Sequence, residues 1–212
     1  CEKRGGLVSH RRLSNGDDKP YELNISWWSA MEDTSRDTNR FQFERFILTQ
    51  LLVMSLKGVP AFYLPALLAS ENDIKSFSMT GQRRDLNREK FKSENLISVL
   101  NNPESNANKN LKYLRNAMNV RSELNAFHPH SEMECLSKGR SDIVVIKRGK
   151  GQESIFSIHN MTENKINYQL NDNDLPEIID NDFNMRDFLT STKYNWKNIS
   201  LDPFQVIWLG SL

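Results

Sequence analysis

The sequence predicts a two-part α/β fold: a helix–strand–helix unit of a barrel or a doubly wound sheet, followed by a small antiparallel β domain. The first observation is the apolar run Val59 to Leu64, which lies between two helical patterns and has no polar alternation. Such a run is typical of a strand buried on both faces. The second observation is a change of period after His128-Pro129, where short alternating runs begin. We therefore place a domain boundary near residue 129.

The first 35 residues predict turns and short extended runs. Leu7-Val8 and the run from Tyr21 to Trp28 have the composition of strands, and the segment Ser14 to Asp18 between them is a strong turn signal. The chain opens with Cys1 and has no Met before Met31. We therefore expect a piece of a longer protein, and a processed or trimmed chain is the alternative.

Three helices are predicted around the apolar run. The first is strongly apolar and ends at Gly58, a residue suited to the left-handed conformation just past a helix end. A polar loop is expected from Ser70 to Asn87, then a weak helix from Ser93 to Leu100 and a stronger one from Ser105 to Phe127. The candidate N-caps of the first helix are Thr34, Ser35, Asp37 and Thr38.

Four short strands are predicted after residue 129, separated by turns rich in Asn, Gly and Asp. Apolar and polar residues alternate in them, which is the pattern of half-buried antiparallel strands. The Asn-rich stretch from Asn171 to Asn184 is predicted to be a loop. The strands are Ile143 to Lys147, Ser154 to His159, Lys165 to Leu170 and Phe204 to Leu209.

Composition narrows the classes of function. The 212 residues include 28 Lys+Arg and 27 Asp+Glu, a net charge of +1, so the basic excess of a nucleic-acid or anionic-membrane binder is missing. No run approaches the roughly 18 apolar residues of a membrane span. The two cysteines fit a reducing compartment. We therefore predict a cytoplasmic protein that binds neither nucleic acid nor membrane.

Motifs for metal binding or nucleophilic catalysis are missing from the sequence. His128-Pro129-His130 has no Cys-x-x-Cys or His-x-x-x-His partner nearby, so we interpret it as a helix-terminal turn. His10 and His159 have no carboxylate or serine at motif spacing, and no glycine-rich phosphate loop is present. We predict no metal and no cofactor.

Two polar segments favour a role in ligand binding. Gly81 to Arg88 holds three arginines and an Asp just past the predicted buried strand, and the loop after a barrel strand faces the active site. A guanidinium there could grip sugar hydroxyls or phosphate, although a solvated charged loop is the simpler interpretation. Pro20 to Trp28 has the composition of a sugar-contacting loop or, alternatively, of an aromatic strand edge.

Together with four other segments, in the same order along the chain, these two segments resemble the C-terminal part of sucrose phosphorylase-like enzymes in the α-amylase superfamily of glycoside hydrolases. The resemblance covers nearly the whole chain. It rests on Gly5 to Ser9, Pro20 to Asn24, Leu56 to Tyr63, Gly81 to Arg88, Ala126 to Pro129 and Asp202 to Leu209.

The resemblance implies the last part of a (β/α)₈ barrel followed by a small antiparallel C-terminal β domain. Residues 1–35 would be the remainder of an insertion after barrel strand 7, residues 36–128 the last helix–strand–helix units, and residues 129–212 the C-terminal β domain. It also implies a retaining sugar phosphorylase. In such enzymes a carboxylate attacks the glucosyl carbon, a Glu protonates the leaving oxygen, and phosphate releases α-glucose 1-phosphate.

The family's catalytic carboxylates have no counterpart in this chain. One of them belongs to a His-Asp pair, and no such pair occurs here. By the family layout all three would lie before Cys1, so we assign no catalytic residue and expect the isolated chain to be inactive. The expected partners of the complete protein are an α-glucoside and inorganic phosphate, with a homodimer left open.

The resemblance assigns substrate-binding roles to five residues. Arg88 resembles the arginine that grips the glucosyl unit, and Asp85 and Asn87 share its motif. Tyr21 and Glu22 resemble a mobile loop that serves acceptor and phosphate in turn.

The acceptor remains open among fructose, fructose 6-phosphate, glycerate and glycerol. Sucrose-specific members resemble Asp-Leu-Tyr-Gln where this chain has Lys19-Pro20-Tyr21-Glu22. The pattern is closer to relatives that act on glucosylglycerate or glucosylglycerol, and Lys19 suits an anionic acceptor such as glycerate. The alternatives to a phosphorylase are a non-catalytic carbohydrate-binding or interaction protein and a hydrolase of the same superfamily.

Overall fold

The computed structural model describes residues 1–35, 40–137, 139–175 and 184–211. Its α-helices are α1 (Trp27–Ala30), α2 (Gln42–Ser55), α3 (Leu64–Leu67), α4 (Ile74–Thr80), α5 (Ser93–Asn101) and α6 (Asn106–Glu123). Its strands are β1 (Leu7–Arg12), β2 (Asp18–Asn24), β3 (Met133–Cys135), β4 (Ile143–Arg148), β5 (Ile155–Asn160), β6 (Ile166–Tyr168), β7 (Asn184–Asp187), β8 (Lys193–Asn195), β9 (Ile199–Leu201) and β10 (Val206–Gly210). Short 3₁₀ helices are Glu2–Arg4, Arg83–Asn87, Asn125–Phe127, Gly151–Glu153 and Asp172–Asp174.

The chain divides into two compact units. The first consists of Cys1–Phe46 and Phe62–Tyr113, and the second of Ile47–Ala61 and Leu114–Leu212. No helix in the described ranges is both long enough and apolar enough to cross a membrane.

In the first unit the 3₁₀ helix Glu2–Arg4 is followed by the antiparallel hairpin β1–β2, whose turn lies at the predicted segment Ser14 to Asp18. The predicted extended run ends early, because Ser26 caps α1 by accepting a hydrogen bond from the backbone N–H of Ser29 (3.1 Å), so Trp27 and Trp28 are helical. A small core forms around Trp28, whose ring centroid lies 5.2 Å from that of Phe46.

Helix α2 begins later than predicted. Phe41, directly before it, has φ +63°, a left-handed conformation that interrupts any helix continuing from further upstream. Of the four candidate caps, Thr34 and Ser35 lie in a turn in which the backbone N–H of Ser35 donates to the carboxylate of Asp33. The other two candidates, Asp37 and Thr38, lie outside the described residues. At its other end α2 stops at Ser55, three residues before the predicted stop at Gly58, whose φ is +107°.

The prediction of a strand at Val59 to Leu64 is wrong for this chain. Val59 is 80% exposed, the segment forms no ladder with any described strand, and Leu64 begins α3. A parallel strand depends on hydrogen bonds to neighbouring strands on both sides. The described residues supply no such neighbour to this segment, so it remains unpaired.

The predicted polar loop from Ser70 to Asn87 contains two helical segments instead. Asp73 caps α4, Gly81 ends it with φ +69°, and the 3₁₀ helix Arg83–Asn87 follows. The prediction failed because α4 has no buried residue and therefore carries no apolar stripe in the sequence. Helices α5 and α6 confirm the predicted ones, and His128 to His130 form the predicted turn after the 3₁₀ helix Asn125–Phe127.

The second unit contains an antiparallel six-stranded sheet in the order β3-β4-β5-β10-β7-β8 and a two-stranded sheet of β6 and β9. All four predicted strands are confirmed, as β4, β5, β6 and β10. Strands β3, β7, β8 and β9 were missed because they have only three or four residues, too few to show alternation by themselves. Strand β6 is equally short but lies within the longer alternating run from Lys165 to Leu170. Most of the predicted Asn-rich loop, residues 176–183, lies outside the described residues, and Asn184 already belongs to β7.

The core of this unit lies on the sheet. Its members are apolar side chains from β4, β5, β7, β9 and β10 and the connections between the strands, all at most 4% exposed: Ile143, Val145, Phe156, Ile158, Leu170, Met185, Trp196, Ile199, Leu201, Ile207 and Leu209.

Candidate functional site

Two of the five predicted substrate-binding residues lie on the hairpin. Glu22 pairs with Ser9 across the two strands, and the register shifts between Ser9 and His10. Such a bulge twists a strand and re-aims the side chains beside it. Tyr21 is the extra residue at this shift, because Glu22 pairs with Ser9 and Pro20 pairs with His10, so the regular alternation of faces along β2 is interrupted at Tyr21. Tyr21 is 62% exposed, and Glu22 is half-buried.

The other three predicted residues lie on or directly after the 3₁₀ helix Arg83–Asn87. Leu86 is buried and anchors this helix, and its carbonyl accepts a hydrogen bond from the backbone N–H of Asp73 (2.7 Å). The Asp73 carboxylate in turn accepts from the backbone and side chain of Ser76, and these hydrogen bonds lower the pKa of Asp73. The loop that carries the arginines is therefore tied to the start of α4.

Two arginines connect this 3₁₀ helix to the hairpin. The Nε–H of Arg84 donates to Oε2 of Glu22 (3.1 Å), and a terminal N–H of Arg83 donates to the carbonyl of Val8 (2.6 Å). The structure thus brings the two polar segments that the sequence singled out into direct contact.

The three predicted residues of this segment differ in whether their side chains already form hydrogen bonds within the fold. Asp85 accepts a hydrogen bond from the hydroxyl of Thr80 (2.7 Å), a bond that stabilises the turn after α4. The side-chain oxygen of Asn87 is buried and accepts no hydrogen bond from any described residue. Arg88 follows the 3₁₀ helix as its C-cap, and its side chain is exposed.

Arg84 is the residue that sequence analysis missed as a member of this site. It stood inside the quoted motif, but nothing in the sequence indicated that it would pair with Glu22, 62 residues away. Asn72 was also missed. Its side chain accepts from the backbone N–H of Ser26 and donates to the carbonyl of Arg4, so it joins three chain segments of the first unit.

The arrangement can bind a ligand, but it offers no nucleophile. Glu22 is ion-paired and Asp85 is hydrogen-bonded, whereas attack on a sugar carbon needs one carboxylate about 5 Å from another that acts as the acid. The exposed guanidinium of Arg88, with its forked donors, suits vicinal hydroxyls or a phosphate group.

A second polar cluster, in the second unit, holds the end of α2. Arg148 is fully buried and donates to the carbonyls of Ser55, Leu56, His128 and Glu132. Arg121 donates to the carbonyls of Met54 and Gly58. Guanidinium groups are favourable there because the last carbonyls of a helix have no partners within it and carry partial negative charge.

His159, which matches no catalytic motif in the sequence, lies beside two serines. The Nε2 atom of His159 is 2.9 Å from the hydroxyl of Ser157, which is 2.6 Å from that of Ser55. All three residues are fully buried, and burial lowers the pKa of His159 to about 3. No substrate reaches a fully buried group, so this cluster has a structural role in the core.

Comparison with known proteins shows that the chain is similar to one part of several sugar phosphorylases. It is 31% identical over 162 residues to a glucosylglycerate phosphorylase of Allomeiothermus silvanus, covering 76% of this chain and 29% of that protein. It is 23% identical over 208 residues to a glucosylglycerate phosphorylase of Escherichia coli, covering 98% of this chain and 35% of that protein. The chain thus spans about a third of the length of these curated relatives. No protein-family model matches it.

The fold is also that of known enzymes. The crystal structure of sucrose 6F-phosphate phosphorylase from Thermoanaerobacter thermosaccharolyticum matches with a TM-score of 0.58 at 19% identity, over 76% of this chain and 30% of that one. Such matches lie on the C-terminal part of (β/α)₈-barrel enzymes, which includes an antiparallel β domain. The predicted fold class is therefore confirmed.

Proposed function

Because this chain belongs to the α-amylase superfamily, as a part matching the C-terminal region of its sugar phosphorylases, we propose that the protein containing it is a retaining sugar phosphorylase. It transfers a glucosyl group from an α-glucoside to phosphate and gives α-glucose 1-phosphate. In this proposal residues 1–35 are the end of an insertion after barrel strand 7, residues 36–128 close the barrel, and residues 129–212 form the C-terminal β domain. The complete protein acts in the cytoplasm.

The chain contributes the binding side of the active site. Arg88 grips the glucosyl unit, and Asp85 and Asn87 shape the loop that presents it. Tyr21 and Glu22 serve acceptor and phosphate in turn, with Glu22 contacting the acceptor. The observation that carries this proposal is the Arg84–Glu22 contact, because it joins the two segments that the resemblance assigns to one pocket. The three catalytic carboxylates lie upstream of Cys1, so the isolated chain is inactive.

Glucosylglycerate is the favoured substrate. The two relatives described above are glucosylglycerate phosphorylases, and Lys19-Pro20-Tyr21-Glu22 departs from the sucrose-type pattern. The test is to incubate the complete protein with glucose 1-phosphate and, in turn, glycerate, glycerol, fructose and fructose 6-phosphate. Glycerate should be the best acceptor, with phosphate released in equal amount to the glucoside formed. Preference for fructose would contradict this substrate assignment.

The role of Arg88 is tested in the complete protein. Arg88→Ala should lower kcat/KM for glucose 1-phosphate by the equivalent of at least about 2 kcal/mol, because a hydrogen bond to a charged group is typically worth about 1.5–3 kcal/mol. Arg88→Lys should recover little, because the planar fork is lost. Wild-type kinetics for Arg88→Ala would end the assignment of Arg88 as a sugar ligand.

Two other functions remain to be separated from this one. A hydrolase of the same superfamily would release glucose without phosphate, so phosphate-dependent formation of glucose 1-phosphate excludes it. A non-catalytic carbohydrate-binding or interaction protein would lack the upstream carboxylates. A continuous reading frame upstream of Cys1 that encodes a His-Asp pair favours the enzyme, whereas a start codon directly before Cys1 favours the binding protein.

A further inference from the structure

We infer that Arg84 is a specificity-determining residue, which neutralises and orients Glu22 so that the pocket accepts an acceptor carrying a negative charge. This inference rests on the proposed function, in which Glu22 contacts the acceptor. In this inference Arg84 takes no part in catalysis but determines the class of acceptor. That class is a small hydroxylated anion, such as a hydroxy acid or a sugar phosphate.

Arg84 forms a hydrogen bond with one specific carboxylate oxygen of Glu22. Its Nε–H donates to Oε2 of Glu22 over 3.1 Å. Arg83, the preceding residue, fixes the same 3₁₀ helix to the facing strand through the carbonyl of Val8 (2.6 Å). The 3₁₀ helix therefore forms hydrogen bonds with both strands of the hairpin, through Arg83 to β1 and through Arg84 to β2. These bonds lie close to the register shift between Ser9 and His10.

The charges of Arg84 and Glu22 explain why this ion pair would favour negatively charged acceptors. An unpaired Glu22 would repel a carboxylate or phosphate brought next to it, and this repulsion is several-fold stronger near a low-dielectric surface than in water. With Arg84 attached, the pair carries no net charge, and the second oxygen of Glu22 can still accept a hydrogen bond from an acceptor hydroxyl. A neutral acceptor gains much less from this neutralisation, since it meets no like charge.

The ion pair between Arg84 and Glu22 is partly exposed to solvent, so it contributes little to the stability of the fold. The side chains of Arg84 and Glu22 are 51% and 31% exposed, and ion pairs of that kind contribute little to stability. Loss of Arg84 should therefore alter acceptor choice without unfolding the protein.

The test compares matched acceptors in the complete protein with glucose 1-phosphate as donor. Glycerate against glycerol, and fructose 6-phosphate against fructose, differ by a negative charge. Arg84→Met should raise KM for the anionic member of a pair about five- to ten-fold relative to the neutral member. KM for glucose 1-phosphate should stay within about two-fold of wild type, and Arg84→Lys should restore part of the preference because it retains the charge.

Two further variants separate this role from a structural one. Arg12→Met breaks the Arg12–Asp18 ion pair of the same hairpin, also 3.1 Å long, and should leave the acceptor ratio unchanged. In the double variant Arg84→Met/Glu22→Gln the unneutralised charge is gone, so the ratio should return towards that of the wild type.

Equal changes in KM for both members of a pair would overturn the inference, as would a wild-type enzyme that uses neutral acceptors only. Absence of any glucosyl transfer by the complete wild-type protein would instead overturn the proposed function. The two failures are therefore distinguishable.

Discussion

The antiparallel sheet around β5 and the segment Val59 to Leu64 are both apolar, yet only the sheet forms in this chain. Strand β5 pairs with β4 on one side and with β10 on the other. Val59 to Leu64 pairs with no described strand, and Val59 is 80% exposed. Both partners of β5 lie within this chain, whereas a parallel barrel strand depends on neighbouring barrel strands, which the described residues do not supply to Val59 to Leu64.

The hydrophobic cluster on the sheet and the cluster around Trp28 also differ, in the number of buried residues that they contain. Phe156 and Phe46 are both fully buried. Phe156 belongs to the core of eleven buried residues on the sheet, whereas Phe46 packs with Trp28 in a cluster of four buried residues in the first unit. Of these two clusters of described residues, the one in the β domain is therefore the larger.

Matched truncations of these two phenylalanines should give the largest effect. Phe156→Ala should lower the free energy of unfolding by about 3–5 kcal/mol, because a densely packed site cannot collapse around the cavity. Phe46→Ala should cost at least about 1 kcal/mol less, since a small cluster relaxes more easily. Urea denaturation of the 212-residue chain, monitored by tryptophan fluorescence, measures the free energy of unfolding of both variants. Equal losses of stability in the two variants would contradict the proposed difference between the cores.

The buried His159 should make the β domain sensitive to acid. Burial lowers its pKa from 6.5 to about 3, so below pH 6.5 the unfolded chain binds a proton that the folded chain does not. Its contribution to stability is complete above pH 6.5 and falls by up to about 1.4 kcal/mol per pH unit as the pH drops towards 3.

The measurement is the midpoint of urea denaturation between pH 7 and pH 4. His159→Gln should flatten the acid limb of the profile, whereas His10→Gln, on an exposed residue of β1, should leave it unchanged. An identical acid limb in wild type and His159→Gln would show that other groups cause it.

Val59→Ser should have the smallest effect in this chain. Val59 is exposed, and substitutions at such positions usually change stability by no more than about 0.5 kcal/mol. In the complete protein the same substitution should cost about 1–3 kcal/mol, because we expect the proposed barrel to bury the side chain there. Melting curves of both proteins test this, and a large loss in the 212-residue chain would mean that the segment is already packed.

Local pattern was sufficient where a structure depends on nearby residues. Helices α5 and α6, strands β4, β5, β6 and β10, and the turn from Ser14 to Asp18 follow from periodicity and turn chemistry in the sequence alone. The resemblance of six short segments also identified the superfamily, because their order along the chain is itself information.

Tertiary structure decided the rest. The pairing of Arg84 with Glu22, the burial of Arg148 against the end of α2 and the contact of His159 with Ser157 all join residues through the folded backbone rather than through a sequence pattern. Whether Val59 to Leu64 forms a strand is decided by the presence of neighbouring strands. A strand's hydrogen bonds lie between chain segments, so its own sequence cannot supply them.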